Sequence, residues 1–191
     1  MKSKTINSLF YTGIVTLSQY SRNKKVPILQ LHNSGGNLLF DFLANCLTGD
    51  FDLAAPNQPN KIMLLNIEGG IPEDISTLNL ATSTITPVSD FIYLLTKPER
   101  VNSSDSCTVR YSFSVASEFL ASKAFNCIGL YTDKVSPDKT TDEFKNNFVA
   151  LCKLSTADLE AIPTSSRLVI DWELNISNNS QKNTEADIYV Q

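Results

Sequence analysis

Two stretches of the chain alternate apolar and polar residues without a fault. In the first, Cys107, Val109, Tyr111, Phe113 and Val115 alternate with Thr108, Arg110, Ser112 and Ser114. In the second, Leu168, Ile170, Trp172, Leu174 and Ile176 alternate with Val169, Asp171, Glu173 and Asn175. A period of two sends successive side chains to opposite faces, so each stretch predicts a strand with one wet face. Trp172 shares its parity with core residues and is expected buried. Further strands are predicted at Phe10–Tyr20, which carries Thr12, Val15 and Thr16, and at Lys61–Ile67, a short apolar run. Asp90–Leu95, Phe125–Tyr131 and Phe148–Leu154 complete the set. Lys25–Leu31 alternates loosely around Pro27, and a proline there predicts an edge strand.

One stretch has the helical period instead. Leu38, Leu39, Phe42, Leu43, Cys46 and Leu47 recur on one face, with Asp41 and Asn45 opposite. Asn33 or Ser34 of the Asn33-Ser34-Gly35-Gly36 run can cap its first turn, and Gly49 ends it. The prediction is one solid α-helix over about 35–48, its apolar stripe covering a sheet or the mouth of a sandwich. Thr156–Ala161 suits a single helical turn. Glu68–Val88, with Pro72 and Pro87, reads as a long surface excursion, and Thr132–Lys145, with Pro137, as a polar loop.

Seven or eight strands with one helix predict a mainly β fold, an antiparallel β-sandwich or jelly roll. A parallel α/β sheet would need a helix after most strands, and those are missing. The expected organisation is an N-terminal arm over 1–8, a single β-sandwich domain over 9–177 and a polar C-terminal arm over 178–191. The chain has 191 residues, of which 42% are hydrophobic and 19% charged. The charged share lies below the usual value of about 25%, and Ser, Thr and Asn fill the gap. That bias favours turns and exposed strand faces over long solvated helices.

Net charge is −4, and the densest basic run is Arg22-Asn23-Lys24-Lys25. No basic footprint for nucleic acid is present. No apolar run reaches the roughly 18 residues of a membrane span, and Met1–Asn7 lacks the apolar core of a signal peptide. The four cysteines, Cys46, Cys107, Cys127 and Cys152, sit singly in apolar stretches and read as free buried thiols. A protein made in a reducing cytoplasm, with no membrane partner, is the expectation.

Candidate chemistry is sparse. His32 is the only histidine, so any Ser-His-Asp or Cys-His device would have to use it. Its position before Asn33-Ser34 reads better as a polar strand-to-helix corner. Scattered cysteines do not supply the close ligand spacing zinc needs. Asp171 and Glu173 lie on one strand face, as a glycosidase pair would. They are also the ordinary polar alternates of a half-exposed strand, with a subunit contact to Arg110 or Arg167 as the next use. Asn33-Ser34-Gly35-Gly36 lacks the lysine of a phosphate-binding loop. Asp133, Asp138 and Asp142 match no calcium loop. Asn102, Asn175 and Asn178 each begin an Asn-x-Ser triplet, which carries little weight without a secretion signal. No catalytic, cofactor-binding or metal-binding residue is therefore predicted.

Three stretches together resemble small structural proteins of tailed bacteriophages. Residues 29–50 (LQLHNSGGNLLFDFLANCLTGD) resemble an opening with Asn and Gly, a short apolar helix, then Gly-Asp or Gly-Glu. Residues 124–131 (AFNCIGLY) are similar to an I-N-E-I-G-L-F/Y strand, with Cys127 where the pattern often has Glu. Residues 167–177 (RLVIDWELNIS) resemble a closing L-x-V-x-W-x-I-x-I-S strand. The order of the three also matches, and the first stretch resembles crAss-like phages of gut bacteria. The resemblance spans roughly residues 25–177 with long unmatched gaps, and it carries no catalytic residues.

The resemblance implies a non-enzymatic, multi-copy virion component: a capsid auxiliary, neck or portal-vertex, or tail protein. Its partners would be other virion proteins and copies of itself, its location the virion after synthesis in the host cytoplasm. Strand faces rich in Ser, Thr and Asn suit such contacts, which are polar and wet at their rims. The alternative is a carbohydrate- or protein-binding β-sandwich for receptor binding or fibre attachment, with Tyr93, Tyr111, Tyr131 and Trp172 as stacking residues. An enzyme using Asp171, Glu173 or His32 is the third reading.

Overall fold

The computed structural model describes residues 9–21, 24–35, 58–69, 82–102, 106–121, 124–133, 135 and 143–178. Their fold is mainly β and antiparallel. The strands are β1 (Leu9–Ser21), β2 (Lys24–Gly35), β3 (Pro59–Ile67), β4 (Ile85–Pro87), β5 (Ile92–Tyr93), β6 (Glu99–Asn102), β7 (Ser106–Val115), β8 (Cys127–Thr132), β9 (Phe148–Lys153) and β10 (Leu168–Asn178). Three short helices accompany them: α1 (Ser117–Ala121), α2 (Glu143–Asn146) and α3 (Thr156–Ala161).

All ten strands belong to one sheet in the order β4-β3-β8-β9-β2-β1-β10-β7-β6, with β5 beside β3. The sheet folds over so that its two halves face each other as the layers of a sandwich. Segment 92–95 joins its margins. β5 pairs with Lys61 and Ile62 of β3, while Leu94 bridges to Phe113 of β7. Leu94 N donates to Asn60 O at 3.0 Å, and Leu95 N donates to Ser112 O at 2.8 Å.

The inward parities of the strands build one core. Val15 and Leu17 of β1 meet Ile62 and Leu64 of β3, Tyr111 and Phe113 of β7, Ile128 and Leu130 of β8, and Ile170 and Trp172 of β10. Trp172 lies opposite Tyr111 in register and is fully buried. Near the end where Val115 pairs with Leu168, Leu120 of α1 and Leu159 beside Ile162 pack on this core. Ser155 caps α3: its hydroxyl accepts from Asp158 N at 3.2 Å, and Asp158 Oδ2 accepts from Ser155 N at 2.7 Å. A second cluster lies on the other face of β3, β8 and β9, where Met63, Leu65, Cys127, Tyr131 and Leu151 meet Val135 and Phe144. That is why β8 is buried on both faces and reads as an unbroken apolar run.

Several expectations are corrected here. Asn33, Ser34 and Gly35 are not part of a helix; they are the end of β2, paired with Cys152, Leu151 and Ala150 of β9. The physical reason lies in β1. A Cβ at Gly13 would overlap the Asn33 carboxamide, so the glycine opens the space that lets Asn33 stay in the ladder. The rest of the expected helix over 35–48 lies outside the described residues, as do the arm over 1–8 and residues 179–191. Asn178, assigned to the second arm, instead ends β10 opposite Leu9. β2 is not an outer strand of the sheet, although its Lys24–His32 portion pairs only with β1 among the described residues. The excursion from Glu68 returns as β4 along β3. The polar loop Thr132–Lys145 carries two apolar anchors, Val135 and Phe144.

Candidate functional site

The outward parities of β7 and β10 face each other in register, and the result is a ladder of polar pairs. Asp171 lies opposite Ser112, Glu173 opposite Arg110 and Asn175 opposite Thr108. Each rung is hydrogen-bonded. Ser112 Oγ donates to Asp171 Oδ1 at 2.7 Å, Arg110 Nε to Glu173 Oε1 at 2.7 Å, and Asn175 Nδ2 to Thr108 Oγ1 at 2.8 Å. Two further side chains extend the rungs. Lys25 of β2 forms an ion pair with the other oxygen of Asp171, and Arg110 Nη1 donates to Glu99 Oε2 of β6 at 3.0 Å. The Glu173 hydrogen bond raises the Arg110 pKa further above its already high value.

His32 stands on this outer face, exposed, opposite Ile14, which in turn lies opposite Glu173. Two strand spacings therefore separate His32 from Glu173, about 10 Å. His32, Asp171 and Glu173 share a face and do not converge. Both carboxylates are taken up by cations of the same chain, so the expected subunit contact of Glu173 to Arg110 is an internal one. Asp171 is 6% exposed and holds a lysine on one oxygen and a hydroxyl on the other, an arrangement that fixes its charge.

The remaining candidates are dispersed. Asp133 is exposed at the end of β8, while Asp138 and Asp142 lie outside the described residues. Among the described residues no group of His, Cys, Asp and Glu is placed to hold a metal ion. Cys127 and Cys152 are buried free thiols, and Cys107 is a half-buried one. Burial pushes the Cys127 thiol up to about 12 and the Cys152 thiol upward as well. Cys46 lies outside the described residues. Of the four aromatic residues considered for stacking, Tyr111, Tyr131 and Trp172 are buried and Tyr93 is 55% exposed. Asn102 and Asn178 sit in strands, and the Asn175 amide is spent on Thr108. No helix of the described residues is long and apolar enough to cross a membrane.

One group escaped the sequence reading. Lys61 begins the apolar run of β3 at the parity of Met63, Leu65 and Ile67, and it is buried. Its ammonium donates to Val135 O at 2.7 Å and lies 4.4 Å from the Phe91 ring centre and 5.9 Å from that of Tyr93. Desolvation lowers its pKa, against the pull of Asp133. Phe91 also meets Tyr131 edge-on at 5.4 Å. Tyr131 folds over Gly129, where any Cβ would strike its ring, and its hydroxyl is buried with no hydrogen-bond partner. A lysine at the parity of three core residues was the available signal.

No family model matches the chain, and no curated protein or solved structure matches it.

Proposed function

We propose that this chain is a non-enzymatic structural component of a bacteriophage virion, a capsid auxiliary, neck or portal-vertex, or tail protein, acting through multi-copy subunit packing. The observation that carries the reading is the polar ladder. Each of its charged groups is paired with an opposite charge within the chain, across strands, on one hydrogen-bonding face. A packing surface needs that property, because an unpaired charge buried against a neighbour costs several kcal/mol. An acid–base site needs the opposite, a carboxylate with a free oxygen near a substrate cleft. The likeness of residues 29–50, 124–131 and 167–177 to phage structural proteins supports the same class and supplies the particle.

The test is peptide mass spectrometry of purified particles from a phage that encodes the chain. Its peptides belong among those of the particle through density-gradient purification. Their loss during purification would reject the proposal.

A second reading, a carbohydrate- or protein-binding module, draws on one observation: Tyr93 and Leu95 are each more than half exposed on the segment that joins the sheet margins. A glycan array with specific hits that Tyr93→Ala abolishes would favour it.

A further inference from the structure

We infer that the margin of β2 along Lys24–Gln30, unpaired among the described residues, accepts segment 185–190 of a second copy of this chain as an added strand. The inference deepens the packing reading above and rests on it. β2 is paired with β1 along Lys24–Asn33, but β9 takes up only Asn33–Gly35 on the other side. Among the described residues nothing pairs with Lys24–His32 there. An edge strand turns N–H and C=O groups outward and is a template for another strand.

The margin also has a side-chain receptor. An open pocket of about 360 Å³ is lined by Thr16, Pro27, Ile28, Leu29 and Gln30. Val26 beside it is 47% exposed. Strand addition works through this combination, main-chain bonds for affinity and a neighbouring pocket for selectivity. Pro27 and the lysines restrict which strands fit, since Pro27 offers no N–H and cations repel a basic edge.

Segment 185–190 meets those restrictions. Ala186, Ile188 and Val190 alternate with Glu185, Asp187 and Tyr189, a strand with one apolar side. Its acidic side complements Lys24, and opposite charges on paired strands stabilise the pairing. Lys24 is exposed and forms no ion pair among the described residues.

Reach assigns the segment to a neighbour. Asn178 lies level with Leu9, whereas Pro27 lies level with Ser18, nine positions further along β1 and two strands across. That is about 32 Å. From Asn178 to Asp187 the same chain spans at most about 31 Å when fully drawn out. Its own segment would have to run straight across the sheet at full stretch, while a second copy meets no such limit.

The experiment compares the full chain with its Ile188→Asp, Val190→Asp variant, whose changes lie outside the described residues. Sedimentation velocity and amide hydrogen exchange are recorded over a range of protein concentrations. The full chain self-associates, and its Lys24–Leu31 amides slow roughly tenfold as association proceeds. The variant stays monomeric with fast exchange there. An excess of a peptide of residues 181–191 dissociates the full chain while keeping those amides slow. Protection that is independent of concentration assigns the segment to its own chain and overturns the inference. So does equal exchange in the two proteins. Particle composition is read separately, so failure here leaves the virion proposal standing, and failure there leaves self-association measurable.

Discussion

Arg110 and Glu173 face each other across the β7–β10 pair, joined by a 2.7 Å hydrogen bond, while one residue away Tyr111 and Trp172 face each other on the buried side. The two faces of one pair of strands thus divide the work. The inner face holds the domain together, and the outer face is a polar surface whose charges are paired within the chain. The two sides differ in what a substitution costs.

On the outer side the cost is small. Arg110 and Glu173 keep side-chain exposures of 38% and 23%, and water screens such a pair. Glu173→Gln is expected to lower stability by about 0.5–1 kcal/mol in urea unfolding at low salt, with the difference shrinking at high salt. A double-mutant cycle with Arg110→Met checks the pairing; a coupling of several kcal/mol would show that the pair is far more desolvated than its exposure indicates.

On the inner side the cost is large. Trp172 is fully buried among β1, β7 and β10. Trp172→Ala is expected to cost about 3–5 kcal/mol, against the roughly 5–15 kcal/mol that holds a domain together. Chemical denaturation reads this directly, and a midpoint close to that of the parent chain would mean that the strand faces the other way.

The buried Tyr131 hydroxyl has no hydrogen-bond partner. An unpaired buried hydroxyl costs about 1–3 kcal/mol, so removing it without changing the ring is neutral or stabilising. Tyr131→Phe is expected to match or exceed the parent in thermal midpoint. A clear loss of stability would mean that the hydroxyl bonds to a group or a water in solution. Gly129→Ala is expected to destabilise, because the new Cβ meets the Tyr131 ring, and Tyr131→Leu should recover part of that loss.

Burial holds the Cys127 thiol up near 12, while an unfolded cysteine titrates near about 8.5. Above the unfolded value the unfolded chain has released a proton that the folded chain keeps. The contribution of Cys127 is therefore complete below about 8.5 and is lost as pH rises toward 12. Parent and Cys127→Ala proteins should converge in stability over that window. In native labelling at pH 8, Cys127 and Cys152 should stay unmodified by iodoacetamide while half-buried Cys107 reacts; early labelling of Cys127 would contradict its burial.

The sequence exposed the parts of the fold that one strand decides for itself. β7 and β10 each have one wet face, so alternation marks them, and Trp172 falls on the buried parity. β8 is covered on both faces and shows as an apolar run. β6 was not legible, because Glu99-Arg100-Val101-Asn102 carries no alternation and exists only through pairing with β7. α1 was missed for a similar reason: a five-residue helix holding one buried leucine has no period to detect. Asn33-Ser34-Gly35 had the composition of a helix start, but pairing with β9, with room for Asn33 beside Gly13 twenty residues away, places it in a strand. Of the candidate site, the polar face of β10 was visible, but its partners were not. Register across β7 matched Glu173 to Arg110 and Asp171 to Ser112, and the pairing of β2 with β1 brought in Lys25.

The most direct test of the packing account is the copy number of the chain in purified phage particles, measured by quantitative mass spectrometry against the major capsid protein. The account predicts a fixed multiple count per particle, set by the symmetry of the layer it builds. Complete absence from particles, or trace amounts that vary between preparations, would contradict it.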